Sequence, residues 1–182
     1  VVVKVLSRDV LHKSEAGGVA VNIAPDKVAD VCKRIAERFT AATKHKPEGF
    51  LVQELVTEGI ETILGFHHDA QLGPVILLGM GGIAAELYHD TALRLAPVSR
   101  RDAREMIDEL KTSALLKGFR TRPPTDIEAL VEGIVAFSAM IVAVGGDLQE
   151  ADINPLFVLP KGQGILAADG VVVVAKVAST VR

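Results

Sequence analysis

Glu150, Asn154 and Asp169 are the residues whose types and spacing most clearly point to chemistry. They lie on or next to two apolar segments, residues 153–159 and 164–174, which a short turn containing Pro and Gly joins. Carboxylate and amide oxygens on neighbouring strands suit a hard cation such as Mg2+, which takes few protein ligands and leaves positions for phosphate oxygens. The alternative interpretation is a β-hairpin with solvated acidic residues, because such hairpins are common.

A lysine and a glycine-bearing loop occur near the start of the chain. Lys4 interrupts the apolar, strand-like residues 1–6, and a buried ammonium group needs an anionic partner such as a phosphate. Gly17 and Gly18 end a loop and could form an anion nest. His12, in the same loop, could act as a base, a metal ligand or a phosphoryl acceptor. A solvent-facing lysine, a plain Gly-Gly turn and a loop histidine without chemistry are the alternatives.

Two strands are predicted at residues 50–56 and 60–65, joined by a Thr-Glu-Gly turn. Glu54 lies inside the first strand and Glu61 inside the second. A pocket at their junction would therefore offer carboxylate acceptors to amino or hydroxyl groups. Surface charge paired across the strands would explain both residues as well.

A second glycine loop, with Gly81 and Gly82, belongs to the G-x-G-x-x-A sequence at residues 79–84. It follows an apolar strand, as a dinucleotide-binding fingerprint would. The next segment is too polar and too short for the first helix of a βαβ unit, so a loop that covers phosphate fits better. Arg94 could bind phosphate, and an ion pair with Asp90 is the alternative.

The elements that must position these residues follow from periodicity. A helix is predicted from Pro25 to Phe39, with its apolar residues at helical spacing. Capping-box patterns at Ser99 and Thr125 predict helices at residues 103–110 and 127–144. We interpret all three helices as scaffold without chemistry of their own.

Composition excludes several classes of protein. The 182 residues carry a net charge of −3, with no Trp and one Tyr, which is unlike a nucleic-acid-binding surface. No uninterrupted apolar run reaches the length of a membrane span. The single cysteine, Cys32, excludes a disulfide framework and favours a reducing cytoplasm. The chain starts on a strand-like run without an initiator Met or a signal peptide, so we expect a fragment or a processed chain.

The chain contains no Walker A, H-E-x-x-H, paired-cysteine zinc or G-x-S-x-G sequence. Taken in order, its dispersed parts resemble the ATP-grasp domain of nucleoside-diphosphate-forming acyl-CoA synthetases, such as the ADP-forming acetyl-CoA synthetase β subunit, and are similar to the succinyl-CoA synthetase β subunit. The matching stretches are Val3-Lys4-Val5, Leu11-His12-Lys13-Ser14, Gly17-Gly18-Val19, Val52-Gln53-Glu54, Glu61, Gly65, Gly79 to Glu86, Asp90, Arg94, Asp152-Ile153-Asn154-Pro155-Leu156 and Asp169.

The resemblance implies an α/β (α+β) ATP-grasp-like fold with mixed sheets flanked by helices. Residues 1–182 would form one ATP-grasp domain, without the α/β segment that precedes the lysine strand in the family, and no internal boundary is predicted. The CoA-binding and acyl-phosphate-forming domains would lie on the same parent chain or on a partner α subunit. An oligomer in the cytoplasm, without nucleic acid or membrane partners, is expected.

The resemblance also implies roles for individual residues. Lys4 would contact the phosphates of ATP or ADP, Gln53, Glu54 and Val56 would form the adenine hinge, and Glu61 would face the sugar. The glycine loops, with Gly17, Gly18, Gly81 and Gly82, would lie against the nucleotide.

The implied catalytic groups are Lys4, Arg94 and His12, the last as a phosphoryl carrier. The implied Mg2+ ligands are Asn154 and Asp169, with Glu150 as a further candidate. The expected reaction is the reversible conversion of acyl-CoA, ADP and phosphate to acid, ATP and CoA through a phosphohistidine, catalysed by an acid–thiol ligase that this chain alone would not complete. A regulatory or silent module of a protein acetyltransferase and a dinucleotide-binding oxidoreductase domain are the alternatives.

Overall fold

The computed structural model of the chain describes residues 1–10, 16–82 and 90–175. They form two compact units, Val1–Thr57 and Glu58–Arg182. The division falls one residue after residues 53–56, the segment that the resemblance assigns to the adenine hinge.

Unit 1 consists of β1 (Val2–Leu6), β2 (Val19–Ala20), a 3-10 turn (Pro25–Lys27), α1 (Val28–Thr43) and β3 (Gly49–Gln53). The strands form an antiparallel sheet in the order β2-β1-β3. Val3 and Val5 have no exposed surface and pack against the apolar stripe of α1, which consists of Val31, Ile35 and Phe39. Burial of one such side chain contributes about 1.5–3 kcal/mol. The predicted first strand and first helix are therefore present.

Unit 2 consists of β4 (Ile60–Asp69), β5 (Gly73–Met80), β6 (Thr91–Leu95), α2 (Arg100–Glu109), α3 (Ala114–Lys117), α4 (Ile127–Val144), a 3-10 turn (Gly145–Asp147), β7 (Leu148–Val158), β8 (Ile165–Ala167) and β9 (Gly170–Val174). The strands form one antiparallel sheet in the order β6-β5-β4-β7-β8, and β9 also pairs with β7. One face of this sheet packs on α2 and α4 to form the larger core.

The predicted hairpin between residues 50–56 and 60–65 is wrong. β3 ends at Gln53 and pairs with β1, whereas β4 pairs with β5 and β7 in the other unit. Glu54 is therefore exposed and lies just beyond a strand instead of inside one. The error arises because two adjacent apolar runs with a glycine turn between them give the same pattern whether or not the strands pair.

One of the two predicted capping boxes is present. The Ser99 hydroxyl accepts from the Asp102 N–H, and the Asp102 carboxylate accepts from the Ser99 N–H. At α4 the cap is Asp126, whose carboxylate accepts from the Ala129 N–H. Thr125 instead donates its hydroxyl to the Leu116 carbonyl, so the predicted box at Thr125 is wrong.

Residues Ile127–Asp147 have the length and composition of a membrane-crossing helix, with a mean hydropathy of 2.1. Glu128 and Glu132 interrupt this segment, so it is not a continuous apolar run. The buried stripe of α4 belongs to the core of unit 2, as Leu130, Ile134 and Ile141 show. Core helices have the same length and composition as membrane spans, so these properties alone do not indicate a membrane.

Candidate functional site

The candidate site in unit 2 lies on the sheet face opposite the helices, called here the open face. Along β4 the side chains of Thr62, Leu64 and Phe66 are buried toward the core. Because successive side chains of a strand point to opposite faces, the residues between them belong to the open face. These are Glu61, Ile63, Gly65 and His67. The open face therefore carries one of the predicted nucleotide-binding residues, Glu61.

Glu61 lies against the second glycine loop. The Gly81 N–H donates to the Glu61 carbonyl at 2.8 Å. A Cβ atom at Gly81 would lie 2.8 Å from the Glu61 Cβ and 2.9 Å from its carbonyl carbon, so no side chain fits there. Gly82 has φ +64°, and a Cβ there would lie 3.5 Å from Glu61 Oε2. The fold thus places the Glu61 carboxylate beside a loop of bare backbone, which suits close approach of a ligand.

Asn154 and Asp169 are adjacent. The Asn154 N–H donates to the Asp169 carbonyl at 3.1 Å, and Asp169 Oδ1 accepts from the Gly170 N–H at 3.0 Å. Asn154 lies where the β4–β7 register shifts by one residue, at the cis Asn154–Pro155 bond, and Asp169 lies between β8 and β9. The predicted pairing of the segments 153–159 and 164–174 is therefore confirmed, because β8 and β9 both pair with β7.

The oxygens of Asn154 and Asp169 fit a magnesium ion better than a transition metal. Among residues 1–10, 16–82 and 90–175, no three His, Cys, Asp or Glu side chains gather closely enough to hold a metal. Mg2+ usually keeps several waters and takes one or two carboxylates together with substrate phosphates. Asn154 and Asp169, which a backbone hydrogen bond joins, carry an amide and a carboxylate of the type that such a site uses.

Glu150 lies apart from this pair. It is paired with His67 on β4 and Val173 on β9, four residues before Asn154, which corresponds to roughly 13 Å along the strand. The structure thus brings together two of the three predicted metal ligands.

Asp152 is closer to the pair than Glu150 and received no role from the sequence. It pairs with Gly65, and a Cβ at Gly65 would lie 3.4 Å from Asp152 Oδ1. The Asp-x-Asn spacing on one strand, opposite a mid-strand glycine, is the signal that could have identified it, because a glycine inside a strand often marks close approach of a ligand.

The predicted residues of unit 1 are placed as follows. Lys4 is 8% exposed and lies in β1 between Val19 and Leu51 of the neighbouring strands. Gly18 is buried, and its carbonyl accepts from the Val5 N–H at 2.8 Å. Lys4 is therefore not a solvent-facing lysine, which was the alternative.

Three other members of the predicted set lie at the end of unit 1, and Gly17 lies before β2. Gln53 ends β3 opposite Val2, Glu54 is exposed, and Val56 is half-buried. Gly17 has φ +69°, a backbone conformation that favours glycine. His12 and residues 83–84 of the second glycine loop lie outside the described residues.

Arg94 is bound by carboxylates of α2. Its guanidinium forms a two-pronged ion pair with Glu109 and a further one with Glu105 at 3.7 Å. The Glu109 hydrogen bond raises the pKa of Arg94, so its charge is permanent. The alternative ion pair with Asp90 is wrong.

Asp90 forms hydrogen bonds with backbone groups instead of an ion pair with Arg94. Its carboxylate is 2% exposed and accepts from the N–H groups of Lys111 and Thr112 and from the Thr112 hydroxyl. Burial opposes ionisation, but the hydrogen bonds from Thr112 and Lys111 outweigh it, so the pKa of Asp90 lies below its usual range.

A cavity of about 730 Å3 lies on the open face beside these residues. Its lining comes from the four neighbouring strands β6, β5, β4 and β7 and the β4–β5 turn, and it combines leucines with acidic residues: Ile63, Gly65, Phe66, His67, Asp69, Leu72, Val75, Leu77, Met80, Thr91, Leu93, Arg94, Leu95, Glu150, Ala151 and Asp152. It is called the sheet pocket below.

The dinucleotide-binding interpretation of residues 79–84 is wrong. β5 pairs antiparallel with both β4 and β6, whereas a dinucleotide fingerprint belongs to a parallel βαβ unit. Two antiparallel sheets, one with a buried lysine strand and one with a glycine loop and an Asn/Asp pair, are instead the parts of an ATP-grasp fold.

The chain belongs to the ATP-grasp family, since the sequence model of the ATP-grasp domain family matches residues 1–174. It is 36% identical to the β subunit of acetate–CoA ligase (ADP-forming) II of Pyrococcus furiosus over 174 residues, which cover 93% of this chain and 72% of that subunit. It is 40% identical to 4-hydroxybutyrate–CoA ligase (ADP-forming) of Nitrosopumilus maritimus over 171 residues. That match covers 93% of this chain but only 24% of the ligase. The chain therefore spans about a quarter of the length of such relatives.

The fold is also that of a solved relative. The dinucleotide-forming acetyl-coenzyme A synthetase 1 of Ca. Korarchaeum cryptofilum, in complex with coenzyme A and Ca-AMPCP, superposes with a TM-score of 0.87 at 37% identity. The superposition covers 96% of this chain and 76% of that one. A second structure of that enzyme holds coenzyme A and Mg-AMPPCP, with its phosphohistidine segment pointing towards the nucleotide binding site (TM-score 0.77). The expected α/β ATP-grasp fold is confirmed.

Proposed function

We propose that this chain is the nucleotide-binding, phosphoryl-transferring part of an ADP-forming acyl-CoA synthetase in the cytoplasm. The observation that carries the proposal is the arrangement on unit 2, where Glu61 adjoins a bare glycine loop and Asn154 adjoins Asp169. Relatives that are 36–40% identical are ADP-forming CoA ligases, and a solved relative holds Mg-AMPPCP. Both support ATP or ADP with Mg2+ as the ligands.

Each residue has a physical task in this proposal. The Lys4 ammonium and the N–H groups of Gly17 and Gly18 would bind phosphate oxygens. Residues 53–56 would bind adenine, and Glu61 would accept hydrogen bonds from the ribose hydroxyls.

Asn154 and Asp169 would hold Mg2+, which when bound neutralises phosphate charge. A cation held by two ligands leaves room for phosphate oxygens. Catalysis of phosphoryl transfer rests mainly on such positioning and charge compensation.

The reaction would proceed in three balanced steps. Phosphate displaces CoA from acyl-CoA in the CoA-binding part of the enzyme, which gives an acyl phosphate. A histidine nitrogen takes the phosphoryl group and the acid leaves, and His12 is the candidate in this chain. A terminal oxygen of ADP then attacks phosphorus, the P–N bond breaks, and its electron pair returns to the imidazole. The CoA-binding part would lie on the parent chain or on a partner α subunit.

Titration calorimetry of the full chain with ADP and Mg2+ tests the binding role. Asn154→Ala and Asp169→Asn should each weaken Mg·ADP binding by about tenfold or more, since each removes a contact to a charged group. Asp147→Asn, at an exposed carboxylate outside the site, is the matched control. Equal affinity of all three variants would contradict the proposal.

Labelling of the intact enzyme by radioactive ATP tests the transfer role. We expect an acid-labile, base-stable phosphoryl group that is lost in His12→Asn. Nucleotide binding without any labelling would instead favour the regulatory or silent module of a protein acetyltransferase.

A further inference from the structure

We propose that the loop at residues 118–124, which joins α3 to α4, is a docking site for a polypeptide segment that carries carboxylates next to an apolar side chain. It is called the arginine loop below, because Arg120 and Arg122 lie in it. The proposal rests on unit 2 alone and does not depend on the proposed function. None of the described residues that line the sheet pocket belongs to this loop.

The two ends of the arginine loop are tied together by backbone contacts. The N–H and the hydroxyl of Thr125 both donate to the Leu116 carbonyl, at 2.9 and 3.0 Å. The Lys161 N–H, in the β7–β8 turn, donates to the Pro124 carbonyl at 3.2 Å. Gly118 has φ +96°, and a Cβ there would lie 3.1 Å from the Pro124 nitrogen. A loop that is already closed loses little conformational entropy when it binds a partner.

The tip of the loop presents an aromatic ring and a guanidinium together. Phe119 is 48% exposed, and Arg120 Cζ lies 5.3 Å from the centre of its ring. The Arg122 N–H donates to the Phe119 carbonyl at 3.1 Å, which fixes the turn. Arg120 has φ +56°, a conformation that is uncommon for a residue with a side chain. Such backbone strain concentrates at functional sites, so the direction of the Arg120 side chain points to a role in binding.

The arginines of the loop differ from the other described arginines of unit 2. Each of those others forms an ion pair with a glutamate: Arg94, Arg100, Arg101 and Arg104. Arg120 and Arg122 are both exposed, and neither forms an ion pair within residues 1–10, 16–82 and 90–175. Two guanidinium groups are therefore available to carboxylates from outside the chain.

The carboxylates near the loop are already engaged. Asp108 pairs with Lys117 at 2.8 Å, at the end of α3. Asp126, at the start of α4, accepts from the N–H groups of Ala129, Gly162 and Gly164. The charge complement of the two arginines must therefore come from a partner.

An acidic peptide fits this surface better than other anions. A guanidinium pairs with a carboxylate through two parallel hydrogen bonds. The exposed ring of Phe119 offers an apolar contact that a free phosphate ion would not use. A nucleic acid needs many unpaired cations for its phosphates, whereas the chain has a net charge of −3.

Two peptides that differ only in charge test the proposal. The probes are the acetylated, amidated peptides Gly-Asp-Leu-Asp-Gly and Gly-Asn-Leu-Asn-Gly, titrated to millimolar concentration into the isotope-labelled full chain and followed by NMR. We expect the aspartate peptide to shift the amide signals of Phe119, Arg120 and Arg122. It should bind about tenfold more tightly than the asparagine peptide, because each carboxylate forms a charge-assisted hydrogen bond.

Three substitutions locate the binding at the loop. Arg120→Gln should remove most of the preference for the aspartate peptide, and Arg120→Lys, which keeps the charge but loses the fork, should retain part of it. Phe119→Ala should weaken binding of both peptides. Arg34→Gln is the matched control and should change nothing, because Arg34 is an exposed arginine of α1 that forms no ion pair within the described residues.

Several results would overturn the proposal. These are equal binding of both peptides, binding of neither, and a preference for aspartate that survives Arg120→Gln. Tighter binding of a short oligothymidylate than of the aspartate peptide would assign the loop to nucleic acid instead. Displacement of the aspartate peptide by an equal concentration of inorganic phosphate would show a general anion site without selectivity for a peptide.

Discussion

Gly81 lies so close to Glu61 that a Cβ atom there would be 2.8 Å from the Glu61 Cβ. The next nearest atoms, 2.9 and 3.0 Å away, are the carbonyl carbon and oxygen of Glu61, which cannot rotate aside. The glycine loop therefore packs directly against Glu61, and any side chain at residue 81 would push the two apart.

Gly81→Ala should weaken Mg·ADP binding and lower the free energy of unfolding by about 1–3 kcal/mol, the usual cost of overpacking. Calorimetry and urea unfolding measure the two effects. Gly146→Ala is the matched control, because that glycine has open space around its Cβ position. If Gly81→Ala and Gly146→Ala had the same Mg·ADP affinity and the same stability, the close approach of Gly81 to Glu61 would not contribute to function.

Asp90→Ala should lower the free energy of unfolding by about 3 kcal/mol, because it removes the buried, charged acceptor of two backbone N–H groups and a hydroxyl. Asp90 has a lower pKa in the folded state than in the unfolded state, so its contribution is fully present above the unfolded pKa of about 3.9. The contribution is lost as the pH falls through the lower, folded pKa.

Urea unfolding at neutral pH and at acid pH checks this dependence. The difference between the chain and Asp90→Asn should shrink as the pH falls below about 4. Asp147→Asn, at an exposed carboxylate, is the control. A difference that stays constant with pH would show that the Asp90 charge does not matter.

Asp126 joins the start of α4 to the β7–β8 turn. Its carboxylate accepts from the N–H groups of Gly164 and Ala129 and also from Gly162, and these bonds lower its pKa. The turn leads into β8 and then to Asp169. We expect Asp126→Ala to lower the melting temperature and to speed amide hydrogen exchange at Gly162 and Gly164.

Mg·ADP binding should weaken in the same variant, because Asp169 follows the turn. Asp126→Asn keeps one acceptor oxygen and should lie between Asp126→Ala and the unmodified chain. Unchanged exchange at both glycines would contradict the bracing role of Asp126.

Much of the fold could be predicted from the sequence where a pattern is local. Helical spacing predicted α1 and α4, and the Ser99 capping box predicted the start of α2. The strand pairing on either side of Glu54 and the partners of Arg94 and Asp90 could not be predicted, because tertiary structure decides which strands pair and which charges meet. Periodicity does not contain that information.

The same distinction holds at the candidate site. Asn154 and Asp169 could be paired from their place on two adjoining apolar segments. The separation of Glu150 from Asn154 follows from their four-residue spacing once both lie on β7, whereas the position of Asp152 opposite Gly65 depends on the register with β4. The sheet pocket was missed altogether, because its leucines come from β5, β6 and the β4–β5 turn and its carboxylates from β4 and β7.

Gly133 and Ile165 provide a test of how α4 holds the β8 hairpin. A Cβ at Gly133 would lie 2.4 Å from Ile165 Cδ1, the flexible end of that side chain. Gly133→Ala gains about 1 kcal/mol of helix propensity and loses a similar amount or more to overpacking, so its net effect should be small. Gly133→Leu cannot be relieved by one methyl shift and should be clearly destabilising. Ile165→Val removes the contacting methyl group and should restore part of that loss in the double variant. A double-mutant cycle in urea measures this coupling. Strict additivity of the two changes in unfolding free energy would show that the two residues are independent.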